Sequence, residues 1–301
     1  MTEKKFIEFL SAIEVTSAQL QDAQTKYQNV CGCLDRYYYD SDYTEAHKYL
    51  FGSYKTKTHI RPIVPEQDVD VLFKIPQEIY DKFKENPGGM LQDVRKALKE
   101  RFSTTEKISA WQKVVLVQFA DGTHNVEVLP AIENDDKTFT IPDNQDGGTW
   151  VSFDPRSQVD AFAESNKKTQ GLTRNLVRIL KAWVRYTSTL SYKSYRVVED
   201  AIAYLDNTYP NGKGSAEYDE IVQGFLKYHK SRMSSDDERY SHFETAIGRA
   251  DKAVQYRKKG QHVDACNEWR KVFGDKFPKD TETEKERCTT YIETAPKPWA
   301  W

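Results

Sequence analysis

A chain of 301 residues with 38% hydrophobic content is long enough for one large core or two modest ones. A net charge of −2 gives no global positive field, which argues against a protein built to coat long nucleic acid. No apolar run approaches the ~20 residues that cross a bilayer, and the N-terminal stretch Met1–Phe6 has no apolar targeting core. Four sparse cysteines, Cys31, Cys33, Cys266 and Cys288, form neither a disulfide framework nor paired zinc ligands. The expectation is a cytoplasmic, non-membrane protein with reduced thiols.

Hydrophobic periodicity predicts one long amphipathic helix over 4–33, with Phe6, Leu10, Ile13 and Leu20 on one face. Asp40-Ser41-Asp42 predicts a turn into a short helix, and a strand follows at 49–51. A second strand is expected at 69–75. Pro76, Pro87 and Gly88-Gly89 then punctuate a helical insert at 92–102 whose basic residues read as solvated. A third strand at 114–119 turns at Asp121-Gly122 into a fourth at 125–130. A further hairpin pairs 139–141 with 150–153. After Pro155 strand signals fade, and helices are expected at 157–168, 172–187, 195–207, 216–232 and on either side of Gly260. The domain expectation is an α/β half over 1–155, with the first helix bracing it, and an all-helical half over 156–301.

The chemistry concentrates in Leu50-Phe51-Gly52-Ser53-Tyr54 and Asp68-Val69-Asp70-Val71. Strand side chains alternate faces, so Asp68 and Asp70 share one side, roughly 6.6 Å apart along the backbone. Val69, Val71 and Phe73 take the core side. Two carboxylates so placed suit divalent cations, and a Gly-Ser turn offers N–H groups and a hydroxyl to a phosphate. Glu127 lies mid-strand between Val126 and Val128, where an unpaired carboxylate is costly to bury. If that strand neighbours the first, three anions converge and raise one another's pKa unless a cation intervenes. Oxygen-only ligands favour magnesium. His124 reads as a hairpin residue. On the helix at 172–187, Leu172, Leu176, Ile179 and Trp183 form an apolar face beside a basic stripe of Arg174, Arg178, Lys181 and Arg185. Arg174 and Arg185 read as solvated, Tyr195 as a core residue more than a base-stacking one, and Tyr54 as either.

The ordered set Gly52-Ser53, Asp68-Val69-Asp70 and Glu127 resembles the polymerase β-like nucleotidyltransferase superfamily. Phe51–Thr58, Ile60-Arg61-Pro62, Val126–Ala131, Leu180-Lys181-Ala182-Trp183 and Ala265–Gly274 make it similar, over about 45–278, to the bacterial cGAS/DncV-like nucleotidyltransferases of CBASS antiphage defence. It departs from them in one place: the third acid is glutamate where many relatives have aspartate. One methylene longer, it still offers oxygen ligands and is read as a working variant.

The resemblance implies an α+β fold, a mixed sheet with helices plus a C-terminal helical domain, bilobed around a central cleft. It implies two Mg2+ ions, with Mn2+ as substitute, held by Asp68, Asp70 and Glu127, and triphosphate contacts from Gly52, Ser53, Lys181 and Ser194. The implied activity is synthesis of a cyclic di- or trinucleotide from NTPs, ATP among them, with pyrophosphate released. A regulatory protein partner and a cyclic-nucleotide-activated effector are implied in the same pathway. The alternatives are a template-independent transferase or toxin acting on RNA or protein, and an inactive nucleotide-binding regulator.

Overall fold

The computed structural model describes residues 2–64, 67–103, 105 and 107–280. Cys288 lies outside them. The chain opens with α1 (Thr2–Ile13) and α2 (Ser17–Tyr39), two helices in place of the single one expected. The break has a local cause. The Thr16 hydroxyl accepts the Gln19 N–H while the Gln19 side chain accepts the Thr16 N–H, a reciprocal cap that starts a new helix.

Next come β1 (Lys48–Leu50), α3 (Gly52–Thr56), β2 (Val69–Lys74), α4 (Gln77–Phe83) and α5 (Pro87–Arg101). The Gly88-Gly89 pair, expected as punctuation, lies inside the first turn of α5, where the Asn86 side chain accepts the Gly89 N–H. This helix buries Met90, Leu91, Val94, Ala97 and Leu98, so only its other face is solvated. The strand β3 (Lys107–Trp111) escaped the sequence reading. Among its five residues only Ile108 is buried, too thin an alternation to register. Then follow β4 (Val114–Gln118), β5 (Val126–Glu133), β6 (Phe139–Asp143) and β7 (Thr149–Phe153). The helices α6 (Pro155–Lys168), α7 (Leu172–Tyr186), α8 (Ser194–Thr208), α9 (Tyr218–Lys230), α10 (Tyr240–Lys258) and α11 (His262–Phe273) complete the order. None of the described helices is long and apolar enough to cross a membrane.

The fold is α+β, as expected. Seven strands form a mixed sheet in the order β1-β2-β5-β4-β3, with β6 joining the far end of β5 and pairing β7. Only the central β2–β5 pair is parallel; the others are antiparallel. One sheet face, with Val69, Val71, Phe73, Val115, Val117, Val126 and Val128, packs with buried residues of α2 and α5. Leu72, Leu129, Ala131, Phe139 and Ile141 form a smaller cluster. A parallel central pair needs a long crossover, here supplied by α4, α5 and the β3–β4 hairpin.

Two compact units divide the chain, and not by a single cut at 155. One holds Ile13–Arg178 with Ala201–Gly212, so α6 and the first half of α7 belong with the sheet. The other takes the chain up to Ala12, Ile179–Asp200 and residues from Lys213 onward. Its core is aromatic: Phe6 meets Trp269 edge-on at 5.2 Å between centroids and Phe277 at 5.0 Å, all three with no exposed surface. In the same unit His229 stacks on Phe225 and Tyr192, and the Tyr192 hydroxyl donates to Asp200 at 2.6 Å.

Candidate active site

The parallel pairing of β2 with β5 sets Asp70 directly opposite Glu127. Adjacent strands lie about 4.8 Å apart, so their carboxylates leave the sheet on one side as neighbours. Asp68 stands two residues earlier, on the same face, just ahead of β2. Val69, Val71 and Phe73 point the other way and are fully buried. The condition left open by the sequence, that the two acid-bearing strands be neighbours, is met.

The electrostatics follow from that register. Burial, then the negative charges of Asp68 and Asp70, push the Glu127 carboxyl up to about 7, and a hydrogen bond to Asp68 favours its protonated form further. The third acid is thus held among like charges. Among the described residues no three His, Cys, Asp or Glu already form a ready-made metal cage. The donor chemistry nonetheless fits a hard divalent cation: the acids offer only oxygens, and positive charge would offset the repulsion that helps raise the Glu127 pKa.

Beside the acids runs the Gly-Ser turn. Strand β1 pairs with β2, and the Phe51 N–H donates to the Asp70 carbonyl at 3.3 Å. Gly52 follows with φ +62°. A Cβ at that position would lie 2.0 Å from Asp70 Oδ2, so a glycine is required both by the backbone conformation and by the close approach of the carboxylate. Ser53 comes next, half-buried, at the start of a helix of five residues. So short a helix is not stable alone. It is tied down from its C-terminal end: Thr56 Oγ1 donates to the Gly52 carbonyl at 3.0 Å, and the Thr58 N–H to the Ser53 carbonyl at 2.9 Å. His59 Nδ1 also lies 3.1 Å from the Ser53 carbonyl.

The flanking aromatics and basic residues sort differently from expectation. Tyr54 is a packing residue: its ring stacks on His59 at 4.3 Å, meets His124 edge-on at 5.3 Å and lies against the sheet core. His124 is a buried hairpin residue whose Nδ1 lies 2.9 Å from Asp22 on α2. Lys26, also on α2, pairs with Asp121 at 2.6 Å, so this helix holds the loop that feeds β5 and Glu127. Arg174 is not a solvated residue. Its Nε donates to the Thr56 carbonyl at 3.3 Å, and burial lowers its pKa. The nearly buried Arg178 donates from Nε to the Lys57 carbonyl at 3.0 Å. Charge spacing alone cannot show that two members of a stripe reach backbone carbonyls more than a hundred residues away.

Lys181 and Ser194 belong to the other compact unit. Lys181 is half-buried on α7, beside the buried Leu180 and Trp183. Ser194 is exposed at the start of α8. The neighbouring Tyr195 is 49% exposed, with the Arg196 guanidinium 5.3 Å from its ring. That corrects the core assignment for this tyrosine.

Comparison with known proteins finds relatives in sequence and in fold. Residues 1–166 match the family model of the Second Messenger Oligonucleotide or Dinucleotide Synthetase domain. A probable cyclic nucleotide synthase of Bacillus cereus is 25% identical over 279 residues, covering 76% of this chain and 81% of that protein. Among solved structures, E. coli CdnC in complex with HORMA-deltaN superimposes with a TM-score of 0.69 at 17% identity, covering 92% of this chain and 98% of that one. The Vibrio cholerae DncV cyclic AMP-GMP synthase, bound to a nonhydrolyzable GTP, gives 0.63 at 17% identity, with 77% and 69% covered. The family model spans more than half of the chain. The chain belongs to the Second Messenger Oligonucleotide or Dinucleotide Synthetase family, the cGAS/DncV-like nucleotidyltransferases that synthesise cyclic oligonucleotides.

Proposed function

We propose that this enzyme joins two or three NTPs, ATP among them, and closes them into a ring in a Mg2+-dependent reaction that releases pyrophosphate, as a cytoplasmic signal in antiphage defence. The observation that carries this reading is the parallel register that faces Asp70 with Glu127 and raises the Glu127 pKa among three carboxylates. Asp68 and Asp70 would hold two magnesium ions, with Glu127 as third ligand to one of them. Bound there, magnesium supplies activation of the attacking hydroxyl and neutralisation of the triphosphate charge.

The chain's own residues do the rest. With cation charge offsetting its acidic neighbours, the Glu127 carboxylate would be free to accept the proton of the attacking 2′- or 3′-hydroxyl. The Ser53 hydroxyl and the N–H groups after Gly52 would take β- and γ-phosphate oxygens, since a helix this short contributes donors more than a dipole. Lys181 and Ser194 are proposed as triphosphate contacts on the family resemblance alone. The E. coli relative seen with HORMA-deltaN supports a protein regulator for this chain as well, and a structure of that relative with ATP supports the nucleotide.

The test is incubation of the purified chain with all four NTPs and Mg2+, followed by phosphatase treatment and mass spectrometry. A phosphatase-resistant cyclic product, absent with Asp70→Ala, is expected. Pyrophosphate release that yields only linear, phosphatase-sensitive products would rule out ring closure. Label transferred to added RNA or protein would replace the synthase reading altogether.

A further inference from the structure

The tie between α7 and the Gly-Ser turn reaches beyond the acids and phosphate contacts described above. The Lys57 carbonyl receives Arg178 Nε at 3.0 Å, and the Thr56 carbonyl receives Arg174 Nε at 3.3 Å. Both arginines lie one helical turn apart on α7, within the same compact unit as the turn they hold. Arg178 is 9% exposed, and its remaining reach goes to Glu14, 3.1 Å away on the chain between α1 and α2.

This arrangement is costly to build. The positive charge of Arg178 adds to burial in lowering the Arg174 pKa, so the guanidiniums disfavour each other, and the Glu14 side chain that offsets them is 57% exposed. A neutral donor would satisfy the same carbonyls at lower electrostatic cost. The geometry of the turn explains what charge-assisted donors add. Gly52 lies close against Asp70, in a place where an added Cβ would sit 2.0 Å from the carboxylate oxygen. A shift of the five-residue helix toward β2 would move Ser53 and press on the Asp70 carboxylate. Its own hydrogen bonds run to 56–59, residues of the same short loop, while Tyr54 packs it against His124 and the sheet core. Only the two arginines, among the bonds described above, reach it from a long, packed helix.

We propose that Arg174 and Arg178 are positioning residues that clamp the C-terminal carbonyls of the Gly52–Thr56 turn and so hold Gly52 and Ser53 in register with the Asp68–Asp70 strand. This rests on the reading of that turn as the phosphate contact. The clamp acts through the turn and touches no substrate atom.

The experiment uses the full chain carrying Arg178→Met, Arg174→Met or Arg178→Lys, with Glu14→Gln as control. Three readouts apply: amide hydrogen exchange over 50–60, affinity for a nonhydrolyzable ATP analogue by calorimetry, and steady-state NTP turnover. Each methionine variant is expected to speed exchange across 52–58, weaken analogue binding about tenfold and raise KM by a similar factor. kcat should stay within about threefold. Arg178→Lys, which keeps a charged donor, should fall between, and Glu14→Gln should stay within about twofold of wild type. Unchanged exchange over 52–58 in the methionine variants would overturn the clamp. So would faster exchange with unaltered analogue affinity, which is what a merely structural role predicts. Should a methionine variant fail to fold, Arg178→Lys carries the same comparison. A wild type that binds the analogue but forms no product would refute the proposed reaction and leave the clamp testable by the first two readouts.

Discussion

Replacing Gly52 by alanine tests the site through one methyl group. The added Cβ would stand 2.0 Å from Asp70 Oδ2 and 2.9 Å from its Cγ, where real contacts essentially never fall below 3.0 Å. The carboxylate must therefore retreat by about 1 Å or the turn must tip away by as much. Misplacing a reacting group by about 1 Å costs on the order of 100-fold in rate. The backbone adds its own penalty, because alanine at φ +62° is strained by about 1 kcal/mol, which lowers Tm by roughly 2–4 °C in a chain of this size. Gly122 gives a matched control: its φ is +67° with nothing within 4 Å, so Gly122→Ala carries the strain without the clash. The assay is pyrophosphate release from NTPs with Mg2+, alongside thermal unfolding. Gly52→Ala should lose about 100-fold or more in kcat, while Gly122→Ala keeps near-wild-type activity at a similar Tm. If Gly52→Ala retained activity within about threefold of wild type, the close packing of Gly52 on Asp70 could not be a catalytic requirement.

Two further outcomes follow from charge. Glu127→Gln keeps the side-chain shape and removes one of three crowded acids, so without added metal at pH 8 its Tm should equal or exceed that of wild type. Its product yield should nevertheless fall by about 100-fold; full activity in that variant would show that Glu127 is not the third ligand. In the other unit, burial lowers the His229 pKa against the opposing pull of Asp200, with Asp237, Arg239 and Arg232 also facing the ring. The unfolded chain then binds a proton more readily than the folded one below pH 6.5, so stability is full above that pH and drains as pH falls. His229→Gln should flatten the fall in urea midpoint between pH 7 and pH 5, and an unchanged slope would mean that another group sets it.

The sequence made much of this site legible for a simple reason. A strand has a period of two, so Asp68 and Asp70 could be assigned to one face, and Glu127 picked out as a costly acid mid-strand, without knowing the fold. Gly52-Ser53 signalled a turn with N–H groups and a hydroxyl to offer a phosphate. The apolar face of α7, with Leu172, Leu176, Ile179 and Trp183, was equally readable from spacing, and all four are buried. The misses were of another kind. The Thr16–Gln19 cap that divides α1 from α2 is a local signal that the strong helical periodicity on both sides overrode. Strand β3 carries little apolar alternation, because it is an edge strand on which only Ile108 is buried and the small Ala110 is partly so.

What the sequence by itself determined is the chemistry: the donor types, the faces they occupy and the family they belong to. Those properties depend on residue identity and local period alone. What only the tertiary structure decided is which groups act on one another. The parallel register of β2 on β5 brings Asp70 opposite Glu127 across more than fifty residues and so sets the raised Glu127 pKa. The reach of Arg174 and Arg178 to the carbonyls of Thr56 and Lys57 turns a basic stripe into an anchor for the Gly-Ser turn. Such pairings arise from strand register and helix packing between distant segments, for which no local spacing carries a signal.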